Sequence, residues 1–134
     1  MSDKTVSETD VVARVRQAGA IVILRLREHT HAVALGRLLL DAGLPVMEVT
    51  FDHPSAPAAL RSMADQLPGG VLLGAGTIRT VEQISQCKQA GGRFCVSPHT
   101  DPASSAHALM RVLSQFRALT PPPTSKRRSM PVPA

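Results

Sequence analysis

The chain has 134 residues, one domain at most, and its 43% hydrophobic content includes no Trp or Tyr, so a core must be built from Leu, Val, Ile and Ala. It holds no apolar run of the roughly 18 residues that a membrane-spanning helix needs, and Met1-Ser2-Asp3-Lys4 leads into no hydrophobic signal-peptide core. The net charge of +5 belongs to one end: residues 1–110 carry ten Lys/Arg and ten Asp/Glu, whereas residues 111–134 carry five Lys/Arg and no acid.

In chain order, Val11, Val12, Val15 and Ala18 make the apolar stripe of a leading helix that stops at Gly19. Ile21-Val22-Ile23-Leu24 then reads as a buried strand ending before Arg25. A second helix carries Ala32, Leu35, Leu38, Leu39 and Ala42 and ends at Gly43, where a residue free to take positive φ closes it. Val46-Met47 is the next apolar run, followed by Glu48. Ser55 is placed to cap a third helix with Leu60, Met63, Ala64 and Leu67 on its inner face, before Pro68-Gly69-Gly70 turns the chain. Val71-Leu72-Leu73 runs into Gly74-Ala75-Gly76-Thr77, and Thr80 with Gln83 forms a capping box for a helix bearing Ile84, Cys87 and Ala90. After Gly91-Gly92, Phe94-Cys95-Val96 reaches Ser97-Pro98, and Asp101-Pro102 opens a further helix. The runs begin at residues 21, 46, 71 and 94, a nearly constant period that accommodates a strand, a helix and two loops. This is a β/α repeat, and Val/Ile-rich continuous runs suit a parallel sheet covered on both faces.

In parallel α/β folds, ligand-facing residues stand where strands finish, because the loops there vary while the opposite end holds the fold. Arg25, Glu48, Thr77 and Ser97-Pro98 all fall at that end, bringing a cation, a carboxylate, a hydroxyl and a rigid turn to one mouth. Singly, each has a plainer reading: solvated surface charge for Arg25 and Glu48, tight packing under a helix for Gly-Ala-Gly. Their common register favours a site.

The strings Ile23-Leu24-Arg25, Glu48-Val49-Thr50-Phe51, Gly74-Ala75-Gly76-Thr77 and Phe94-Cys95-Val96-Ser97-Pro98-His99, in this order, resemble the 2-keto-3-deoxy-6-phosphogluconate aldolases. With them stand the related phosphogalactonate and 4-hydroxy-2-oxoglutarate aldolases. The likeness runs over about residues 8–103. It implies a (β/α)₈ barrel of the TIM type, usually a cytoplasmic homotrimer of the Entner-Doudoroff pathway. The implied activity is that of an aldehyde-lyase which releases pyruvate and glyceraldehyde 3-phosphate without metal or cofactor. Its class I mechanism passes through a Schiff base between a barrel lysine and the substrate keto group. By resemblance Glu48 is the proton-transferring carboxylate, Arg25 orients the carboxylates of enzyme and substrate, and Thr77, Ser97 and Pro98 line the pyruvate pocket. Asp52 stands where some members carry a carboxylate-binding arginine, which bears on substrate preference.

A complete barrel takes on the order of 200–250 residues, so four β/α units make a truncated one. The expected division is an N-terminal half barrel over residues 1–116 and a disordered basic, Pro-rich tail over 117–134. The Schiff-base lysine and phosphate-binding turns of the family belong to the other half. Lys4 lies in a polar leader, Lys88 on a helix's outer face and Lys126 in the tail, so none is expected to act as nucleophile, and the chain alone is expected to be inactive. A shifted reading frame, starting between Ala103 and Arg117, accounts for the Pro/Arg-rich end; a tail that binds nucleic acid or another anion through Lys126-Arg127-Arg128 is the alternative, without interleaved aromatics to support it. Cys87 and Cys95 have no zinc spacing and read as reduced packing residues, His29 and His31 are discounted as a metal pair, and His99 reads as a surface-loop residue.

Overall fold

The computed structural model describes residues 8–97. The elements are α1 (Glu8–Ala18), β1 (Val22–Leu24), α2 (Ala32–Asp41), β2 (Val46–Thr50), α3 (Ala56–Gln66), β3 (Leu72–Gly76), α4 (Val81–Gln89) and β4 (Phe94–Cys95). Pro98, His99, the helix expected from Asp101 and the tail lie outside the described residues. The strands form one parallel sheet in the order β1-β2-β3-β4, with a helix between each strand and its spatial neighbour.

One face of this sheet is covered by α2, α3 and α4 and the N-terminal part of the other by α1, which is why its strands are largely apolar. Leu24, Met47, Val49, Leu73, Ala75 and Cys95 face one way and pack on Ala32 of α2, Leu60 and Met63 of α3, and Ile84 and Cys87 of α4. On the opposite face Val46, Leu72 and Phe94 are closed off by Val11, Val12 and Val15 of α1. α1 covers the N-terminal ends of the strands on that face, and further along β2 the polar Glu48 and Thr50 are buried as well.

Local chemistry explains most element ends. Thr80 accepts from the Gln83 N–H at 3.2 Å and the Gln83 side chain accepts from the Thr80 N–H at 3.3 Å, completing the expected capping box of α4. Gly43 takes φ 82° just after α2, a conformation that side chains resist. Two expectations fail. Ser55 occupies the N-cap position of α3 yet makes no side-chain bond to the helix, because its hydroxyl is taken by two imidazoles. Leu38 and Ala42, both placed on the inner stripe of α2, are exposed, Leu38 to 67%. The helix is rotated to bring Gly36 inward, where a Cβ would stand 2.8 Å from Cδ1 of Leu67, so α2 and α3 approach through a glycine.

Candidate active site

Glu48 is not a residue leaving a strand. It sits in the middle of β2, in register with Ile23 of β1 and Gly74 of β3, and is only 4% exposed. The strand continues through Thr50, since Glu48 and Thr50 share the face that Val46 begins and Val49 stays in the helix-side core. Burial raises the Glu48 carboxyl from 4.5 to about 7, with the positive charge of Arg25 opposing the shift. A carboxyl with that pKa is present in both protonation states near neutrality, as a group that gives and retakes a proton must be.

Arg25 emerges from the end of β1 into solvent. Its Nη2 donates to Thr77 Oγ1 at 3.5 Å and its Nε lies 3.5 Å from Asp52 Oδ2. Asp52 is fixed in turn by Thr50, whose hydroxyl donates to Oδ1 at 2.8 Å. The guanidinium is therefore held between the ends of β2 and β3. Thr77 itself has φ 57°, left-handed backbone that a β-branched residue rarely adopts. Strain of this kind persists where surrounding contacts over-determine it, and it concentrates at functional sites.

Ser97 follows β4 and donates from Oγ to the Ile78 carbonyl at 2.8 Å, while the Ile78 N–H donates to the Val96 carbonyl at 3.0 Å. Its hydroxyl thus joins the loop after β3 to the end of β4. Glu48, Arg25 and Thr77 come together, Ser97 ties the neighbouring loops, and Pro98 lies outside the described residues. Sequence reading missed Thr50 and the pairing of Asp52 with Arg25. The signal was present: Glu48, Thr50 and Asp52 alternate along one chain direction and so lean to one face.

A cavity of about 480 Å³ opens beside Asp52, walled also by His53, Arg79 and Gln83. Gln83 is locked there, its amide donating to the Phe51 carbonyl at 3.0 Å and its Oε1 accepting from the Arg79 N–H at 2.7 Å. Nearby, His29 pairs not with His31 but with His53: Ser55 Oγ lies 2.6 Å from Nδ1 of His29 and 2.7 Å from Nδ1 of His53. Among the described residues no three His, Cys, Asp or Glu side chains gather as a metal site. Cys87 and Cys95 are free thiols buried side by side in the core, and their mutual hydrogen bond and burial push the Cys95 thiol up, leaving it protonated. No helix of the described residues is long and apolar enough to cross a membrane.

Four parallel strands joined by covering helices, with a buried carboxylate on β2 and an arginine at the end of β1, have the arrangement of part of an α/β barrel. Residues 11–116 match the family model of the KDPG and KHG aldolases, and the chain belongs to that family. It is 39% identical over 100 residues to a 2-dehydro-3-deoxy-phosphogluconate aldolase of Treponema pallidum, covering 75% of this chain and 46% of that protein. The crystal structure of the 2-keto-3-deoxy-6-phosphogluconate aldolase of Zymomonas mobilis with 3-phosphoglycerate superposes with a TM-score of 0.65 at 26% identity, over 83% of this chain and 50% of that one. The Legionella pneumophila KDPG aldolase, with pyruvate captured as a covalent carbinolamine, gives a TM-score of 0.58 at 32% identity over 69% of this chain and 42% of that one. The chain spans about half the length, or less, of the relatives it matches.

Proposed function

We propose that this chain supplies the acid–base half of a class I aldolase site that cleaves a 2-keto-3-deoxy sugar acid, phosphorylated as in KDPG, into pyruvate and an aldehyde. The observation that carries this reading is the buried Glu48, titrating at about 7 behind the Arg25 guanidinium. In its protonated form Glu48 gives a proton to the hydroxyl that leaves a carbinolamine as water. As the carboxylate it takes the proton of the C4 hydroxyl when the carbon–carbon bond breaks. Arg25, held by Thr77 and Asp52, presents a cation toward the substrate carboxylate. Capture of pyruvate as a carbinolamine by the Legionella protein supports a keto-acid substrate, and 3-phosphoglycerate in the Zymomonas structure supports a phosphorylated one.

Among the described residues the one lysine, Lys88, is exposed on α4 away from Glu48. In this reading the covalent step is completed when the chain works as part of a full barrel, in the cytoplasm, as a trimer and without metal. The test is complementation. The chain is co-expressed with the C-terminal half of the Zymomonas relative, and pyruvate release from KDPG is followed with a coupled dehydrogenase. Activity is expected for the pair and not for either half, with Glu48→Gln lowering kcat by about 10²- to 10⁴-fold. Full activity of the Gln variant would overturn the role given to Glu48.

A further inference from the structure

The string Gly74-Ala75-Gly76 has a spatial explanation that the capping and turn rules do not give. Neither Gly74 nor Gly76 has positive φ, so the backbone of β3 makes no demand for glycine at these positions. Glycine inside a strand weakens it and marks a place where something else comes close. On the face shared by Leu72, Gly74 and Gly76, the missing side chains are replaced by two neighbours. The ring of Phe94 fills the space over Gly74, where a Cβ would stand 2.6 Å from three ring carbons. The carboxylate of Glu48 fills the space over Gly76, where a Cβ would collide with Oε1 and stand 2.7 Å from Cδ. Ala75, between them, points into the opposite core.

We propose that Gly76 is a positioning residue for Glu48: the bare backbone at the end of β3 is the seat on which the carboxylate lies, and it keeps the acid buried between β2 and β3 instead of turned out beside Arg25. This deepens the aldolase reading and rests on it for the catalytic consequence, although the seat itself can be tested without any turnover. The geometry also says what gives way when the seat is filled. At Gly74 the obstacle is an aromatic ring packed among Val11, Val15 and Val46. At Gly76 it is the far end of a flexible side chain, so an added methyl displaces the carboxylate and leaves the strand in place.

The experiment follows the Glu48 side-chain carboxyl by ¹³C NMR through a pH titration of the full 134-residue chain, as wild type and as Gly76→Ala. The wild type is expected to titrate near 7 and the variant at least about one pH unit lower, toward the ordinary 4.5, as the carboxylate moves into water and nearer Arg25. A Glu48 midpoint unchanged in a folded Gly76→Ala protein overturns the proposal. If Gly76→Ala alone does not fold, the double variant Glu48→Ala/Gly76→Ala decides: recovery of folding supports the seat, and its failure shows that glycine is needed there for another reason and overturns it. Loss of the aldolase reading, for example through an inactive complemented barrel, leaves these titrations unchanged and is thereby told apart.

Discussion

Glu48 is the residue on which stability and the proposed chemistry meet, and the proton that this chemistry would use is the one that stability depends on. Its carboxyl is raised in the fold from 4.5 to about 7, so the native state holds a proton that the unfolded chain releases over that interval. Its contribution to stability is complete below about 4.5 and is lost as pH rises through 7. The loss is on the order of 3 kcal/mol, since each pH unit between the folded and unfolded values is worth ~1.4 kcal/mol. Urea titrations of the wild type from pH 4.5 to about 8 should show this decline, and Glu48→Gln, which carries no charge to desolvate, should flatten it. An equal decline in both proteins would mean that some other group governs the slope. Arg25 is the counterweight, since its charge lowers the Glu48 value against burial. Arg25→Ala should therefore move the Glu48 midpoint above 7 in the same NMR titration, whereas Asp52→Asn, which releases Arg25 from its ion pair, should not raise it.

Elements are legible wherever a single local rule governs them. The capping box of α4 depends only on Thr80 and Gln83, and both bonds of it form. Thr80→Ala removes the acceptor for the Gln83 N–H and should cost about 1 kcal/mol in chemical denaturation. Ser55→Ala should not show a comparable helix-capping loss, because the Ser55 side chain makes no cap bond; a loss as large as that of Thr80→Ala would contradict the geometry. Expectations fail where tertiary contacts take over from local ones. Ser55 has the right residue type for a cap, but His29 and His53 compete for its hydroxyl and lie far away in sequence or on the wrong side of it. The stripe through Leu38 follows helical periodicity, yet the contact with α3 is made through Gly36, which no count of apolar residues would select. Glu48 is recognisable through its surroundings and through resemblance, and its position in mid-strand is not, because a carboxylate interrupts the apolar run that defines a strand. The strand survives because Gly76 makes room and because a proton can neutralise the acid.

For the whole molecule, the decisive feature is the asymmetry of the sheet. Among the described residues β2 and β3 are paired on both sides, while β1 and β4 are each paired on one side. Ile23, in register with Glu48, is 60% exposed on the face that carries the site. In a closed barrel that face turns inward and the outer edges of β1 and β4 find partners, as edge strands otherwise invite non-specific pairing. Borohydride treatment of the chain with pyruvate should accordingly leave no reduced adduct on any lysine, and an adduct would reveal a nucleophile that the sequence does not betray. Hydrogen exchange then tests closure directly. When the chain is mixed with the complementary half of a relative, amides in β1 and β4 should slow by at least about tenfold, since their free side gains a ladder and Ile23 leaves water. Amides of β2 and β3, already bonded on both sides, should change least. Uniform slowing along all four strands would instead mean that the half barrel is globally stabilised without its edges being closed, and the exposed face around Ile23 would then belong to some other contact.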